Sequence, residues 1–138
     1  MSLSDETMTQ KELVREFFAR WFGGRWDETR ELLAPEFTFT VPGAADRFPL
    51  AGEYTHAAFG ALLSRIGVAM PNGVEADLIQ VLADGDYVVV VARTHGVAGD
   101  GRLYDNQLCY VLSTADGLIT SCREYLDTIH ANDVLAAH

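Results

Sequence analysis

The stretch Thr114-Ala115-Asp116-Gly117-Leu118-Ile119-Thr120-Ser121-Cys122-Arg123-Glu124-Tyr125-Leu126-Asp127-Thr128 decides which side chains point inward. Asp116-Gly117 is a turn signal between two runs rich in β-branched, aromatic and aliphatic residues, so the segment reads as the closing hairpin of a sheet. Three loop residues with Gly third fit a type I turn followed by a left-handed glycine in a bulge. That register sets Thr114 opposite Leu118, Tyr110 opposite Cys122, Leu108 opposite Glu124 and Asn106 opposite Leu126, and even-numbered residues of both strands then share a face. It carries Tyr104, Asn106, Leu108, Tyr110, Leu112, Cys122, Glu124 and Leu126. The other face carries Asp105, Gln107, Cys109, Val111, Ile119, Ser121, Arg123, Tyr125 and Asp127. A two-residue loop, Ala115-Asp116 or Asp116-Gly117, would shift this register. The even face is the more apolar and is expected under the helices, with Asn106 and Glu124 as its polar interruptions. A carboxylate on an apolar face is costly unless it is paired, hydrogen-bonded or lining a wet cavity, so Glu124 is the leading functional candidate.

Upstream, the three preceding strands read as about 74–83, 86–97 and 102–114, and the closing one as 118–129. Turn signals at Asp84-Gly85, Gly99-Asp100-Gly101 and Asp116-Gly117 separate them into a meander. Before the meander the period is helical. Thr9 and Glu12 form a capping-box pattern, and Leu13, Phe17 and Trp21 follow at i, i+4 and i+8 until Gly23-Gly24. A second helix is expected from about Arg25 to Leu33, ended by Pro35 and burying Trp26 and Leu33. Alternation in Glu36-Phe37-Thr38-Phe39-Thr40-Val41 predicts a strand, 43–53 reads as a loop, and a third helix runs from about Thr55 to Val68 with Phe59, Leu62, Leu63 and Ile66 on one face. A short tail from Ala131 to His138 closes the chain. Three helices with one strand, then four antiparallel strands, give an α+β fold with the helices on one face of the sheet. Residues 1–8 are polar and expected to be disordered, and 9–138 form a single domain.

Composition narrows the partners. Ten basic against 20 acidic residues give a net charge of −10, opposite to the field that holds a phosphate backbone, so neither nucleic acid nor an anionic membrane is expected. The longest apolar run, Val88 to Ala92, is far short of the roughly 20 residues that cross a bilayer, and Met1 to Gln10 lacks a signal-peptide pattern, so a soluble cytoplasmic protein is expected. Cys109 and Cys122 fall on opposite faces of neighbouring strands, which excludes a disulfide between them, and no histidine pair has metal-ligand spacing. Neither a metal nor a cofactor is expected. Val89, Val91, Val111, Ile119 and Tyr125 form an apolar patch on the outer sheet face, which predicts a homodimer through the sheet.

The order of elements and the closing D-G-x-I-x-x-x-R-E-Y-x-D-T pattern at 116–128 resemble the SnoaL-like, ketosteroid-isomerase-related branch of the nuclear transport factor 2-like superfamily. The resemblance runs from about Thr9 to Leu135. It implies a cone-shaped, curved antiparallel sheet with three N-terminal helices on its concave face, an apolar pocket between them, and usually a dimer. It does not imply one activity, since members include isomerases, polyketide cyclases, epoxide hydrolases, dehydratases and domains with no known chemistry. Where ketosteroid isomerases carry their base Asp, this chain has Val41 before Pro42. The acidic residue in the closing strand of limonene-epoxide-hydrolase-like members matches Glu124. Their Tyr and Asn fall at about Thr38 and Thr40, and their Arg and Asp meet Ala92 and Thr94 or Arg93 and His95, according to register. The catalytic Asp of SnoaL-type cyclases is nearest His130.

These residues support three readings. In the first, a small cofactor-independent enzyme of isomerase, cyclase, hydrolase or dehydratase type uses Glu124 as general acid/base, with Asn106 and His130 as its partners. Its ligand is an apolar or aromatic oxygenated molecule lying against Tyr110, Leu108, Cys122, Leu126, Phe39, Phe59 and Trp26. In the second, the same pocket binds without catalysis. In the third, the cone is filled and the domain serves dimerisation or docking. Each residue also has a structural reading: Glu124 satisfied by Arg93, Arg123 or backbone donors, Asn106 bonded to Glu124, the tyrosines as core, and His130 at a strand end.

Overall fold

Thr9 closes the capping box that its spacing predicts: its hydroxyl accepts from the Glu12 N–H at 3.1 Å, and Glu12 Oε1 accepts from the Thr9 N–H at 2.9 Å. In the computed structural model, which describes residues 8–135, α1 runs Gln10–Phe22 and buries Leu13, Val14, Phe17 and Phe18. The expectation for residues 1–8 therefore lies outside the described residues except at Met8. The second helix, α2, is confined to Trp26–Arg30, shorter than the sequence suggests. Leu33 belongs instead to β1, Leu33–Val41, where it pairs with Ile119. Pro35 lies in the irregular stretch between the Leu33 and Thr38 pairings, where a missing N–H is tolerated.

A four-residue strand, β2 (Gly52–Thr55), follows the loop, then α3 (His56–Ala69). The meander is β3 (Glu75–Asp84), β4 (Tyr87–Val97), β5 (Leu103–Ala115) and β6 (Leu118–Tyr125), and α4 (Thr128–Leu135) completes the described chain. The strands form one curved, unclosed sheet in the order β2-β1-β6-β5-β4-β3. It is not wholly antiparallel, because β1 lies parallel to β6. The fold is α+β, with α1 packed on β3, β4 and β6, α3 on β1 and β2, and α4 on β5.

The closing hairpin corrects the expected register. Its loop is the two-residue Asp116-Gly117, with φ of 53° and 76°, the conformation of a type I′ turn. Ala115 thus pairs with Leu118 and Thr114 with Ile119; Thr120 is then extra, and beyond it Leu112 faces Cys122 and Tyr110 faces Glu124. Thr114–Leu118, Tyr110–Cys122 and Leu108–Glu124 are not partners. Ile119, expected outside, is buried, because it precedes the bulge that restores the even-numbered face. Cys109 and Cys122 are both free.

Gly96 on β4 lies under the turn that links α3 to β3. A Cβ there would stand 2.6 Å from the Gly73 carbonyl oxygen and 2.9 Å from Met70 Cε. The first of these is backbone and has little freedom to retreat. Gly96→Ala is expected to lower the unfolding free energy by about 2–3 kcal/mol, measured by urea denaturation.

Candidate functional site

The bulge at Thr120 brings Glu124 onto the concave face, and the helices stand off that face to leave a cavity of about 340 Å³. The sheet contributes Phe39, Val41, Leu108, Tyr110 and Glu124 to its wall, and Leu126 joins them just beyond the end of β6. Opposite them stand Trp21 and Phe22 of α1, Trp26 of α2, Leu62, Leu63 and Ile66 of α3, and Ala131 and Leu135 of α4. Thr94 and Tyr104 add a polar edge. No Lys, Arg or His among the described residues lines this cavity, and Glu124 is its one carboxyl group.

Five of the seven expected ligand contacts, Tyr110, Leu108, Leu126, Phe39 and Trp26, line the cavity with Glu124. Cys122 and Phe59 do not. Cys122 is buried on the sheet across from Phe39 and Leu112. Phe59 packs among the rings of Trp21, Trp26, Phe37 and Phe39, with centroids 4.5–5.4 Å away, and forms core behind the wall.

Asn106 and His130 are occupied elsewhere. The Asn106 side-chain amide donates to the Asp127 carbonyl at 3.1 Å and its oxygen accepts from the Asp127 N–H at 3.0 Å. Asn106 therefore clamps the end of β6 rather than meeting Glu124. His130 Nε2 accepts from the Asp105 N–H at 3.1 Å, its ring stacks on Tyr104, and its own N–H is capped by Asp127 Oδ1. Neither residue lines the cavity. Arg93 and His95 face the opposite side of the sheet, Arg93 in a two-point pair with Asp105 and His95 against Asp77 at 3.1 Å. Neither neutralises Glu124.

The carboxyl group of Glu124 is accordingly governed by burial, which pushes its pKa up to about 7, while the Tyr110 hydroxyl beside it pulls weakly the other way. Burial, together with the Glu124 charge, likewise pushes the pKa values of Tyr110, Tyr104 and Cys122 upward.

Trp21 and the α3 wall were legible only as core, since helical spacing marks an apolar face without showing where it stands off the sheet. One signal was local: Gly60 lies where a Cβ would sit 3.0–3.1 Å from the Trp26 indole, and the glycine lets that ring reach the cavity.

A family model described as a SnoaL-like domain matches residues 14–122. The chain belongs to the SnoaL-like family, within the NTF2-like superfamily. Among solved structures, this SnoaL-like chain is similar to Bal32a from a soil-derived mobile gene cassette, with TM-score 0.80 and 25% identity over 90% of this chain and 94% of that one. An NTF2-like protein from Burkholderia xenovorans LB400 has TM-score 0.72 and 26% identity over 94% and 98%. Another from Burkholderia pseudomallei K96243 has TM-score 0.80 and 18% identity over 99% and 100%, a likeness of fold alone. No curated protein matches the sequence. The family match ends at Cys122, two residues before Glu124, so a role for that carboxyl group stands on its geometry. No helix among the described residues is long and apolar enough to cross a membrane.

The raised pKa of Glu124 carries a stability consequence. The folded state holds a proton that an unfolded chain, with an ordinary carboxyl value of 4.5, releases. Stability from this group therefore falls as pH rises from about 4.5 to about 7 and stays low above that. Glu124→Gln is expected to match the native chain near pH 5 and to exceed it by up to about 3 kcal/mol near pH 8, read as the difference between urea unfolding curves.

Proposed function

We propose that this SnoaL-like protein binds an uncharged, apolar, oxygen-bearing small molecule and moves a proton on it, with Glu124 as general acid/base. The observation that carries the reading is a carboxyl group with a pKa of about 7, the one carboxyl group that the described residues place in an apolar cavity to which they bring no cation. A group balanced near neutrality can take a proton from one atom and return it to another without a second ionisable partner. An anionic ligand would find no positive charge on this wall, whereas the rings of Trp21, Trp26, Phe39 and Tyr110 suit an aromatic or alicyclic body. Thr94 and Tyr104 stand where a ligand oxygen can be oriented. With a ketone the sequence is simple: the Glu124 carboxylate removes a proton from the carbon beside the carbonyl, an enolate forms, and the same carboxyl group returns a proton to carbon or oxygen.

The probe 2-tetralone in D2O tests this directly, because proton transfer at carbon appears as loss of its α-hydrogen NMR signals. Saturable acceleration by the native chain and its loss in Glu124→Gln, with folding intact, is the expected result. Equal exchange in the Gln variant would refute the assignment. Binding of 2-tetralone with no acceleration would leave a ligand-binding protein in place of an enzyme.

The outer sheet face supports a second part of the proposal, a homodimer through the sheet. Leu82, Tyr87 and Tyr125 are exposed there beside the partly exposed Val89, Val91, Cys109 and Val111. The charges at its border are largely paired within the chain, Arg93 with Asp105 and His95 with Asp77, so the apolar side chains between them are left to be covered by a second copy turned about a two-fold axis. Sedimentation should find the native chain as a dimer and Val91→Glu as a folded monomer; a monomeric native chain would refute the interface.

A further inference from the structure

The Tyr110 hydroxyl is a buried donor with no use in the architecture. Its oxygen is closed to solvent, and no protein group meets it in hydrogen-bond geometry, although most buried side-chain polar atoms in folded proteins have a partner. The ring cannot swing away, because it is fully buried and packed on Phe18 and Trp21 with centroids 4.7 and 5.9 Å apart. Across the sheet its neighbours are Val90 on β4 and Glu124 on β6, and along β5 they are Leu108 and Leu112. Of these four positions, Glu124 alone offers an acceptor.

We propose that Tyr110 is a positioning residue for Glu124, its hydroxyl being the donor that the carboxylate engages once its proton has left. This rests on the reading of Glu124 as the proton-transfer group. While Glu124 is protonated, its own O–H is free to face the cavity and the Tyr110 hydroxyl is idle. When the proton passes to the ligand, a full negative charge remains on a wall to which the described residues contribute no Lys, Arg or His. Rotation about the phenolic C–O bond and a small swing of the Glu124 side chain then close a charge-assisted hydrogen bond. The phenol keeps its proton throughout, since burial raises its own pKa well above its ordinary value of 10.0.

The other titratable groups near this pair are Tyr104 on β5 and Cys122 on β6, both held neutral by burial. From α1, β1, α3 and α4 the cavity receives Trp21, Val41, Leu62 and Ala131, and no charge. Tyr110 is thus the donor that limits how strongly burial opposes ionisation of Glu124. A packing role for the ring accounts for Phe18 and Trp21 but not for the hydroxyl.

The test uses the full chain labelled with ¹³C at glutamate Cδ and tyrosine Cζ, with Glu124→Gln assigning the Glu124 signal, titrated by NMR from about pH 5 to about pH 9. In the native chain the Tyr110 Cζ resonance should move with the Glu124 midpoint. In Tyr110→Phe that midpoint should rise by about one pH unit, a carboxyl group about tenfold weaker as an acid. At about pH 5, where Glu124 is protonated, the melting temperature should not fall, because the ring is kept and only an unsatisfied hydroxyl is removed. An unchanged midpoint in Tyr110→Phe would overturn the proposal. So would a native Tyr110 Cζ signal blind to Glu124, a measurement that needs no variant at the tyrosine. Because both readouts are titrations, a failure of 2-tetralone exchange would count against Glu124 as a catalyst and leave the coupling separately measured.

Discussion

One extra residue in β6 sets the character of the concave face. The Asp116-Gly117 turn pairs Thr114 with Ile119, and an unbroken ladder from there would carry Tyr110 to Arg123. Arg123 would then point under the helices and Glu124 would lie outside. Thr120 interrupts the ladder and reverses that outcome, because a shift of one residue exchanges the two faces of a strand. Ile119 before the bulge and Cys122 after it can therefore both be buried although their numbers differ in parity. The bulge separates a cavity lined by a carboxyl group from one that would have held a guanidinium.

Placing Glu124 inward would be unremarkable if a cation followed it, but the sheet sends its charges elsewhere. Arg93 is committed to Asp105 and His95 to Asp77, both on the outer face. The lone carboxyl group is controlled by its surroundings: burial is the larger influence and the Tyr110 hydroxyl the smaller, opposing one. Its acidity is therefore not set by a second carboxylate, and the polarity of the cavity is the main lever on it. The same burial that weakens the acid also weakens the folded state above neutrality, so stability and readiness to exchange a proton are coupled through one side chain.

The sequence was most legible where period and punctuation agreed. The capping box at Thr9, the alternation through Phe37, Phe39 and Val41, and the positions of the glycine turns of the meander each rest on local chemistry, and each appears where expected, although the closing turn is one residue tighter. The inward placement of Glu124 was reached through a register that differs from the real one, since a three-residue loop and a two-residue loop with a bulge share the same parity beyond Thr120. Tyr110 as the partner across from Glu124 was hidden by that difference. Asn106 and His130 stand away from the cavity for another reason. Both have the chemistry of active-site residues, but β6 ends at Tyr125, and that early end leaves the Asp127 backbone and the start of α4 to be secured by them. The short β2 carries too few residues to show a period, and its pairing with β1 is a tertiary fact.

In the proposed function, the arrangement separates the choice of ligand from the chemistry done on it. Glu124 and Tyr110 belong to adjacent sheet strands, whereas much of the facing wall comes from α1, α2, α3 and α4. Gly60 and Trp26 are matched across α3 and α2, and a larger residue at 60 would displace the indole that limits the cavity there. Changes at such helix positions reshape the space without altering the register that holds the carboxyl group. A family built this way can vary its ligands widely on one backbone, and membership alone then says little about the reaction. The proposed function rests instead on Glu124 and Tyr110, which the Thr120 bulge sets at paired positions of adjacent strands.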